Sequence, residues 1–204
     1  MAKYYKLRDL LYSSTNSTRM AQGHPNINLP GNDGASMPSQ GEIVSNLNIL
    51  FEKCINPIFD AFGGKENLTI TSVYRSVELN KLIGGSGTSQ HCFGQACDVA
   101  SISGIPSSEI FNWCIDNITF DQLIWEFPER GGSRTWVHVS YVSGRNRKRT
   151  TLASKSDSSM LILLVIFVTC SLATSASSFI SFCNAPFTNQ NLLDEPAISS
   201  TFML

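Results

Sequence analysis

Two segments, "FDQLIWEF" and "TWVHVSYV", place the strongest constraint on the fold. Both are typical of β-strands, and "PERGGSR" separates them. The paired glycines in that loop predict an antiparallel hairpin. In the second segment Trp136, His138 and Ser140 share one face, whereas Val137 and Val139 share the other. The sequence therefore predicts a histidine in the middle of a strand, on the face opposite its valines.

The patterns upstream of this hairpin predict an α+β domain. Apolar residues recur at three and four in "GEIVSNLNILFEKCINPIFDAF", which predicts a helix that Pro57 disturbs in its last turn. "LTITSVYRS" and "QACDVAS" predict strands, whereas "VELNKLIGG" and "SSEIFNWCIDN" predict helices. Residues 1 to about 45 are rich in turn formers and predict a long surface loop. We therefore expect a small antiparallel sheet with flanking helices.

Composition limits the class of protein. The net charge is -1, which gives no support to nucleic-acid binding. The six cysteines form neither a CxxC pair nor a zinc-finger spacing, so we expect free buried thiols. The N-terminus has no apolar stretch of signal-peptide length, so no N-terminal signal peptide is expected. Only 15% of the residues are charged, which indicates an apolar segment elsewhere in the chain.

That apolar segment lies in the C-terminal part of the chain. We expect a domain over 1–148, a basic Ser-rich linker over 149–159, a hydrophobic segment over 160–183 and a tail over 184–204. The hydrophobic segment contains 17 apolar residues among 24 and no charged residue, and about 20 suffice to span a bilayer. Three interpretations stay open: a membrane span with its basic flank inside, a signal-peptide-like remnant, and neither of these.

The stretch "SQHCFGQACDV" places an imidazole seven residues before a carboxylate. Gly94 permits a turn that brings His91 back towards Asp98, and Ala96 leaves room beside a metal. A catalytic zinc site uses three protein ligands of the His, Cys or carboxylate type and keeps one position open. His138 would supply the third ligand. Each of these residues alone is more often a structural residue, but the three together indicate a metal site.

The segment "SVYRSVELNKLIGGSGTSQHCFGQACDV" resembles the zinc D-Ala-D-Ala carboxypeptidase family of metallopeptidases, in particular its phage endolysin-like branch. The family's Ser-x-His-x-x-Gly-x-Ala-x-Asp pattern is matched from Ser89 to Asp98, and its Tyr-Arg-Ser by residues 74–76. "YKLRDLLYSS" and the later "FDQLI-x-E" and "WVHVS" blocks also match, so the resemblance covers 4–148. It implies a hedgehog/DD-peptidase-like zinc fold, and we expect a monomer.

The resemblance also implies roles for individual residues. His91, Asp98 and His138 match the zinc ligands, with one zinc ion per chain. Arg75 matches the arginine that holds the substrate's carbonyl or carboxylate, a task that suits the fixed fork of a guanidinium. Ser89 matches a residue that helps to position the substrate.

The general base departs from the family's pattern. Several relatives carry Asp or Glu three residues before the last histidine, where this chain has Thr135. Since a hydroxyl cannot replace a carboxylate base, we expect Glu126, at the end of "DQLIWE", to take that role. The alternative for Glu126 is a solvated residue at a strand end. We expect Trp136 to line the cleft, with a buried packing role as its alternative.

The function implied is hydrolysis of a peptide bond in peptidoglycan stem peptides by a D-Ala-D-Ala carboxypeptidase or a related endopeptidase. The alternative is a non-catalytic zinc-containing module on the same fold, which binds the cell wall or is structural in a virion. The expected partner is the stem peptide, with membrane association through 160–183 and no nucleic acid. We expect a phage-encoded or bacterial protein that acts at the cell wall. If the C-terminal segment spans a membrane, it would anchor the protein there.

Overall fold

A computed structural model describes residues 2–130, 134–156 and 159–163. Helices and a sheet make up this part of the chain, which confirms the predicted α+β class. Its α-helices are α1 (Leu7–Leu10), α2 (Ser14–Ala21), α3 (Gln40–Leu50), α4 (Asn56–Ala61), α5 (Val77–Leu82) and α6 (Ser107–Asn117). Its strands are β1 (Leu68–Ser72), β2 (Ala96–Ser101), β3 (Gln122–Glu126), β4 (Trp136–Ser140), β5 (Arg149–Ser156) and β6 (Ser159–Leu163).

The six strands form one sheet in the order β1-β2-β4-β3-β5-β6. The pairs formed by β1 to β4 are antiparallel, and they include the predicted pairing of β3 with β4. Strand β5 runs parallel to β3, so the whole sheet is mixed, although the prediction had only antiparallel strands. Strand β2 lies inside the sheet, and all six of its residues are buried.

The two faces of the sheet have different roles. One face packs with helices α3, α4 and α6 in a single hydrophobic core. The opposite face carries Asp98, Glu126 and His138, because side chains alternate along each strand. The residues that β2, β3 and β4 bury in the core are Cys97, Val99, Leu123, Val137 and Val139.

The long predicted helix accommodates Pro57 through a π-helical turn. Helix α3 continues into a π-helical segment, Phe51–Ile55, and then into α4. The backbone N–H of Asn56 donates to the carbonyl of Phe51, five residues earlier, instead of the usual four. The wider turn falls next to a proline that lacks an N–H donor, which agrees with the predicted disturbance of the helix at this point.

The prediction of a loop over residues 1–45 is wrong in part, since α1 and α2 lie within it. Tertiary contacts hold this region in place, which local sequence patterns do not reveal. The Asn28 amide donates to the carbonyl of Leu11 at 2.9 Å and accepts from the N–H of Ser76 at 2.7 Å. Asn28 thereby links the N-terminal region to the segment between β1 and α5.

The C-terminal part of the domain also differs from the prediction. Residues predicted as a linker form β5, where the Phe127 N–H donates to the carbonyl of Ala153 at 2.7 Å. Basic and serine residues suggested a linker, but the unpaired edge of β3 provides hydrogen-bond partners for this backbone. Most of the hydrophobic segment 160–183 and the tail 184–204 lie outside the described residues. No helix in the described ranges is long and apolar enough to cross a membrane.

The cysteines agree with the prediction where the structure describes them. Cys54, Cys92, Cys97 and Cys114 are free and buried. Burial raises the pKa of Cys54 to about 12, which keeps this thiol protonated at neutral pH. The remaining two cysteines lie outside the described residues. The four described thiols therefore act as small apolar groups in the interior.

Gly94 shapes the turn between His91 and Asp98, so we predict that Gly94→Ala destabilises the domain. Its φ is +67°, and an added Cβ would meet the carbonyl oxygen of Ile43 at 2.8 Å. Left-handed strain and overpacking together should lower the free energy of unfolding by roughly 2–5 kcal/mol, measured by urea denaturation.

The control for this prediction is Gly104→Ala. Gly104 also has a positive φ, +91°, but its Cβ would meet nothing within 4 Å. The free energy of unfolding of Gly104→Ala should therefore fall only by the cost of the left-handed conformation, about 1–2 kcal/mol. Equal losses in the two variants would contradict the close approach of Gly94 to helix α3.

Candidate metal centre

Three predicted ligands meet on the face of the sheet opposite the core. The Nδ1 atom of His138 lies 2.9 Å from Oδ1 of Asp98, and the Nε2 atom of His91 lies 3.3 Å from the same oxygen. The two ring nitrogens are 3.2 Å apart. The exposed fractions of His91, Asp98 and His138 are only 1%, 6% and 7%. The structure therefore brings the predicted trio together in a buried cluster.

The loop before β2 orients His91. A 3₁₀ turn, Gln90–Phe93, carries this histidine, and Gly94 ends the turn in the left-handed conformation. The Nδ1–H group of His91 donates to the carbonyl oxygen of Val73 at 2.5 Å. This hydrogen bond leaves the lone pair of Nε2 directed at the cluster, which is the usual arrangement around a histidine that binds a metal.

Strand pairing sets the other two ligands side by side. Asp98 on β2 lies directly opposite His138 on β4. Burial raises the pKa of the Asp98 carboxyl, but the two neighbouring histidines lower it by more, so that it stays well below 3.8. Burial lowers the pKa of His91 below 6.5. A carboxylate beside a neutral imidazole is the combination of charge states that binds a metal.

The spacing of the ligand atoms fits zinc. Tetrahedral ligands with bonds of about 2.0–2.2 Å lie roughly 3.3 Å from one another, close to the 2.9–3.3 Å found here. Two imidazoles and one carboxylate are also the donors of several catalytic zinc sites, which keep a fourth position open. These three residues therefore satisfy the requirements for holding the ion.

Arg75 is held beside this cluster. Its backbone N–H donates to the carbonyl of His91 at 3.3 Å, and its Nη2 donates to the hydroxyl of Ser89 at 3.3 Å. Its buried Nε–H has no hydrogen-bond partner among the described residues. Ser89 therefore orients the guanidinium, whose Nε–H is left unpaired.

Glu126 lies on the same face of the sheet as the ligands. In the β3–β4 ladder Glu126 pairs with Trp136, and Ile124 pairs with His138. Burial and then the charge of Asp98 raise the pKa of the Glu126 carboxyl. The opposing effects of His138, Arg75 and the Trp136 indole are smaller. Glu126 is therefore a half-buried carboxyl coupled to the cluster, not the solvated strand-end residue of the alternative interpretation.

Thr135 has a structural place in the same hairpin. Its hydroxyl accepts from Trp125 Nε1 at 2.8 Å and donates to the carbonyl of Glu126 at 2.8 Å. Thr135 is 4% exposed. The hydroxyl thus ties the end of β3 to the start of β4, and it contributes no acidic group.

A cleft of about 310 Å³ opens onto the cluster. Asp98, Arg75 and Trp136 line it, together with residues of the N-terminal region. The indole of Trp136 is directed at the Glu126 carboxyl, whose pKa it lowers. The cleft thus has a carboxylate of the cluster, a guanidinium with an unpaired Nε–H and an indole on its walls.

An ion pair between the exposed Arg147 and the buried Asp121, which the sequence did not reveal, supports the loop of His91. The Asp121 carboxylate is fully buried and accepts from Arg147 Nε at 2.7 Å and Nη2 at 2.6 Å. The carboxylate also accepts a hydrogen bond at 2.9 Å from Nε2 of Gln90, the residue before His91. Burial raises the pKa of Asp121, but Arg147 and Gln90 lower it by more. The only sequence signal was the position of Gln90 beside a ligand.

A family model described as Peptidase M15 matches residues 32–140, more than half of the chain. The chain belongs to the peptidase M15 family. This confirms the resemblance to zinc D-Ala-D-Ala carboxypeptidases, whereas the phage branch stays a prediction. Peptidases of this family depend on zinc, so the chain falls in the metallopeptidase class of hydrolases. No curated protein is significantly similar to the chain.

We predict that Arg147→Met destabilises the domain because it leaves the buried Asp121 carboxylate without its charged partner. The loss should be roughly 1.5–3 kcal/mol in urea denaturation at neutral pH. Since the pKa of Asp121 is lowered, the difference from the wild type should persist above pH 3.8 and shrink as the pH falls below it.

Arg145→Met is the matched control. Arg145 is exposed and lies two residues away, and its side chain makes no hydrogen bond in the described residues. The free energy of unfolding of Arg145→Met should stay within about 0.5 kcal/mol of the wild-type value. If both variants were equally stable, the ion pair would have no part in supporting the loop.

Proposed function

We propose that this chain is a zinc metallopeptidase that hydrolyses a peptide bond in peptidoglycan stem peptides. One observation carries the proposal: a carboxyl with a raised pKa, Glu126, shares the face of the sheet with a buried His-Asp-His cluster. A base, a metal-binding trio and a substrate-binding arginine are the parts that peptide hydrolysis of this type requires. The family match supports the reaction class, and the substrate is our inference.

His91, Asp98 and His138 would hold one zinc ion per chain. A zinc ion in such a site lowers the pKa of water and polarises a carbonyl group. The protein's own part is to fix the three donors before the ion arrives. The Val73 carbonyl orients His91, and the β2–β4 ladder aligns the other two. Such positioning on strands keeps the site rigid.

Glu126 would act as the general base. Its carboxyl would take a proton from the attacking water and return it to the leaving amine. A raised pKa suits a group that must both accept and release a proton near neutral pH. Thr135 cannot take this role, because it has no ionisable group and both of its hydrogen bonds serve the hairpin.

Arg75 would bind the substrate's carbonyl or carboxylate. Its Nε–H is unpaired, and a guanidinium offers planar donors to such an acceptor. Ser89 would act through Arg75, because its hydroxyl accepts a hydrogen bond from the Nη2 of Arg75. Trp136 would line the cleft on β4 and contact the bound substrate. The Nε–H of Arg75 would otherwise stay buried without a partner, which favours a bound polar substrate.

The competing proposal is a zinc-containing module that binds the cell wall or is structural and does not hydrolyse. It is favoured by Thr135, which stands where several relatives have an acid. It requires that Glu126 have no catalytic part. Turnover of stem peptides therefore separates the two proposals.

We predict that Glu126→Gln lowers kcat on a stem pentapeptide ending in D-Ala-D-Ala by roughly 10²–10⁴-fold, because the amide cannot accept the proton. The zinc content should be unchanged, since Glu126 is outside the ligand trio. Mass spectrometry of the products would also identify the bond that is cut.

Glu129→Gln serves as the control for this experiment. Glu129 lies three residues further on, in a 3₁₀ turn, with 44% of its side chain exposed. Its kcat should match that of the wild type. A zinc-loaded wild type without turnover on any stem peptide would refute the hydrolase and favour the non-catalytic module.

A further inference from the structure

The N-terminal region supplies one wall of the cleft. Residues 12–15 line the same 310 Å³ cleft as Arg75, Asp98 and Trp136. The family match starts at residue 32, so this wall lies outside the matched region, whereas all three metal-binding candidates lie inside it. The wall overlaps "YKLRDLLYSS", the N-terminal block of the resemblance, and none of its residues is among the metal-binding candidates.

Hydrogen bonds hold the wall against the segment that carries Arg75. The N–H of Tyr74 donates to the carbonyl of Leu10 at 3.1 Å, and the Asn28 amide donates to the carbonyl of Leu11 at 2.9 Å. Leu10 is buried in the core. On the other side of residue 12, the hydroxyl of Ser13 caps helix α2. The backbone around Tyr12 is thus fixed relative to the cleft.

Tyr12 presents an aromatic ring at this wall. Its side chain is 61% exposed and makes no hydrogen bond or ring contact within the described residues. Tyr12 lines the same cleft as Arg75, so the ring is available to a ligand bound there. A tyrosine ring offers a large contact area with little loss of side-chain freedom, which is why such rings are common in binding sites.

We infer that Tyr12 is a specificity-determining residue of the substrate cleft. Its ring packs against a short, extended peptide whose polar end lies towards Arg75. The cleft volume is at the low end for ligand sites, which fits a peptide with small side chains. This inference rests on the proposed function for the class of substrate. Because Tyr12 is not among the groups assigned to the chemical step, it should contribute to binding.

The test measures peptide binding in a background that cannot hydrolyse it. The zinc-loaded full chain with Glu126→Gln is titrated calorimetrically with a stem pentapeptide ending in D-Ala-D-Ala. Adding Tyr12→Ala should raise Kd about 5- to 30-fold through lost ring contacts, whereas Tyr12→Phe should keep Kd within about twofold. Zinc content and thermal unfolding should not change.

The control is Met20→Ala in the same background. Met20 is also exposed, at 47%, and belongs to the same N-terminal region, but it does not line the cleft. Its Kd should stay at the parent value. An unchanged Kd for Tyr12→Ala, or no binding by the parent protein, would overturn the inference.

Turnover is measured separately with the wild type, so the two proposals can fail independently. If binding depends on Tyr12 but there is no turnover, the proposed hydrolase activity is refuted and the role of Tyr12 in peptide binding is supported. If there is turnover but the Kd does not change in Tyr12→Ala, the hydrolase activity is supported and the role of Tyr12 is refuted.

Discussion

A buried carboxylate on an interior strand is the constraint on which the rest of the site depends. Asp98 lies on β2, where every residue is buried, and an unpaired charge there would cost several kcal/mol. His91 and His138 are its partners, which requires β4 to lie beside β2 and the preceding loop to fold back. The turn at Gly94 allows that return, because it adopts a left-handed conformation against helix α3. The sheet topology and the metal centre are therefore consequences of the same pairing.

The opposite ends of the domain complete the site around this pairing. From the N-terminal side, Asn28 holds the segment before α5, and Asp33 accepts from the N–H of Val77 at 2.9 Å. From the C-terminal side, Arg147 neutralises the Asp121 carboxylate, which also binds the residue before His91. The helices on the core face stabilise the sheet, whereas these polar contacts fix the position of Arg75 and of the His91 loop.

Strand alternation made much of the site predictable. The period of two placed His138 on the face opposite its valines, and the ladders show Asp98 and Glu126 on that same face. The pairing of β5 with β3 was not predictable, since a parallel neighbour leaves no local signal in a basic, serine-containing segment. Helices α1 and α2 were missed for a similar reason: they are short, and distant side chains such as Asn28 stabilise the backbone around them. Sequence separation also concealed the pairing of Asp121 with Arg147, which lie 26 residues apart.

The most direct test of the account is the zinc content of the purified chain by native mass spectrometry. The three histidines provide a matched comparison, because His91 and His138 lie in the buried cluster whereas His24 is exposed. We predict about one zinc ion in the wild type and in His24→Ala, and none in His138→Ala, since two donors cannot replace a three-ligand site. Zinc retained by His138→Ala, or absent from a wild type supplied with zinc, would contradict the assignment of the metal centre.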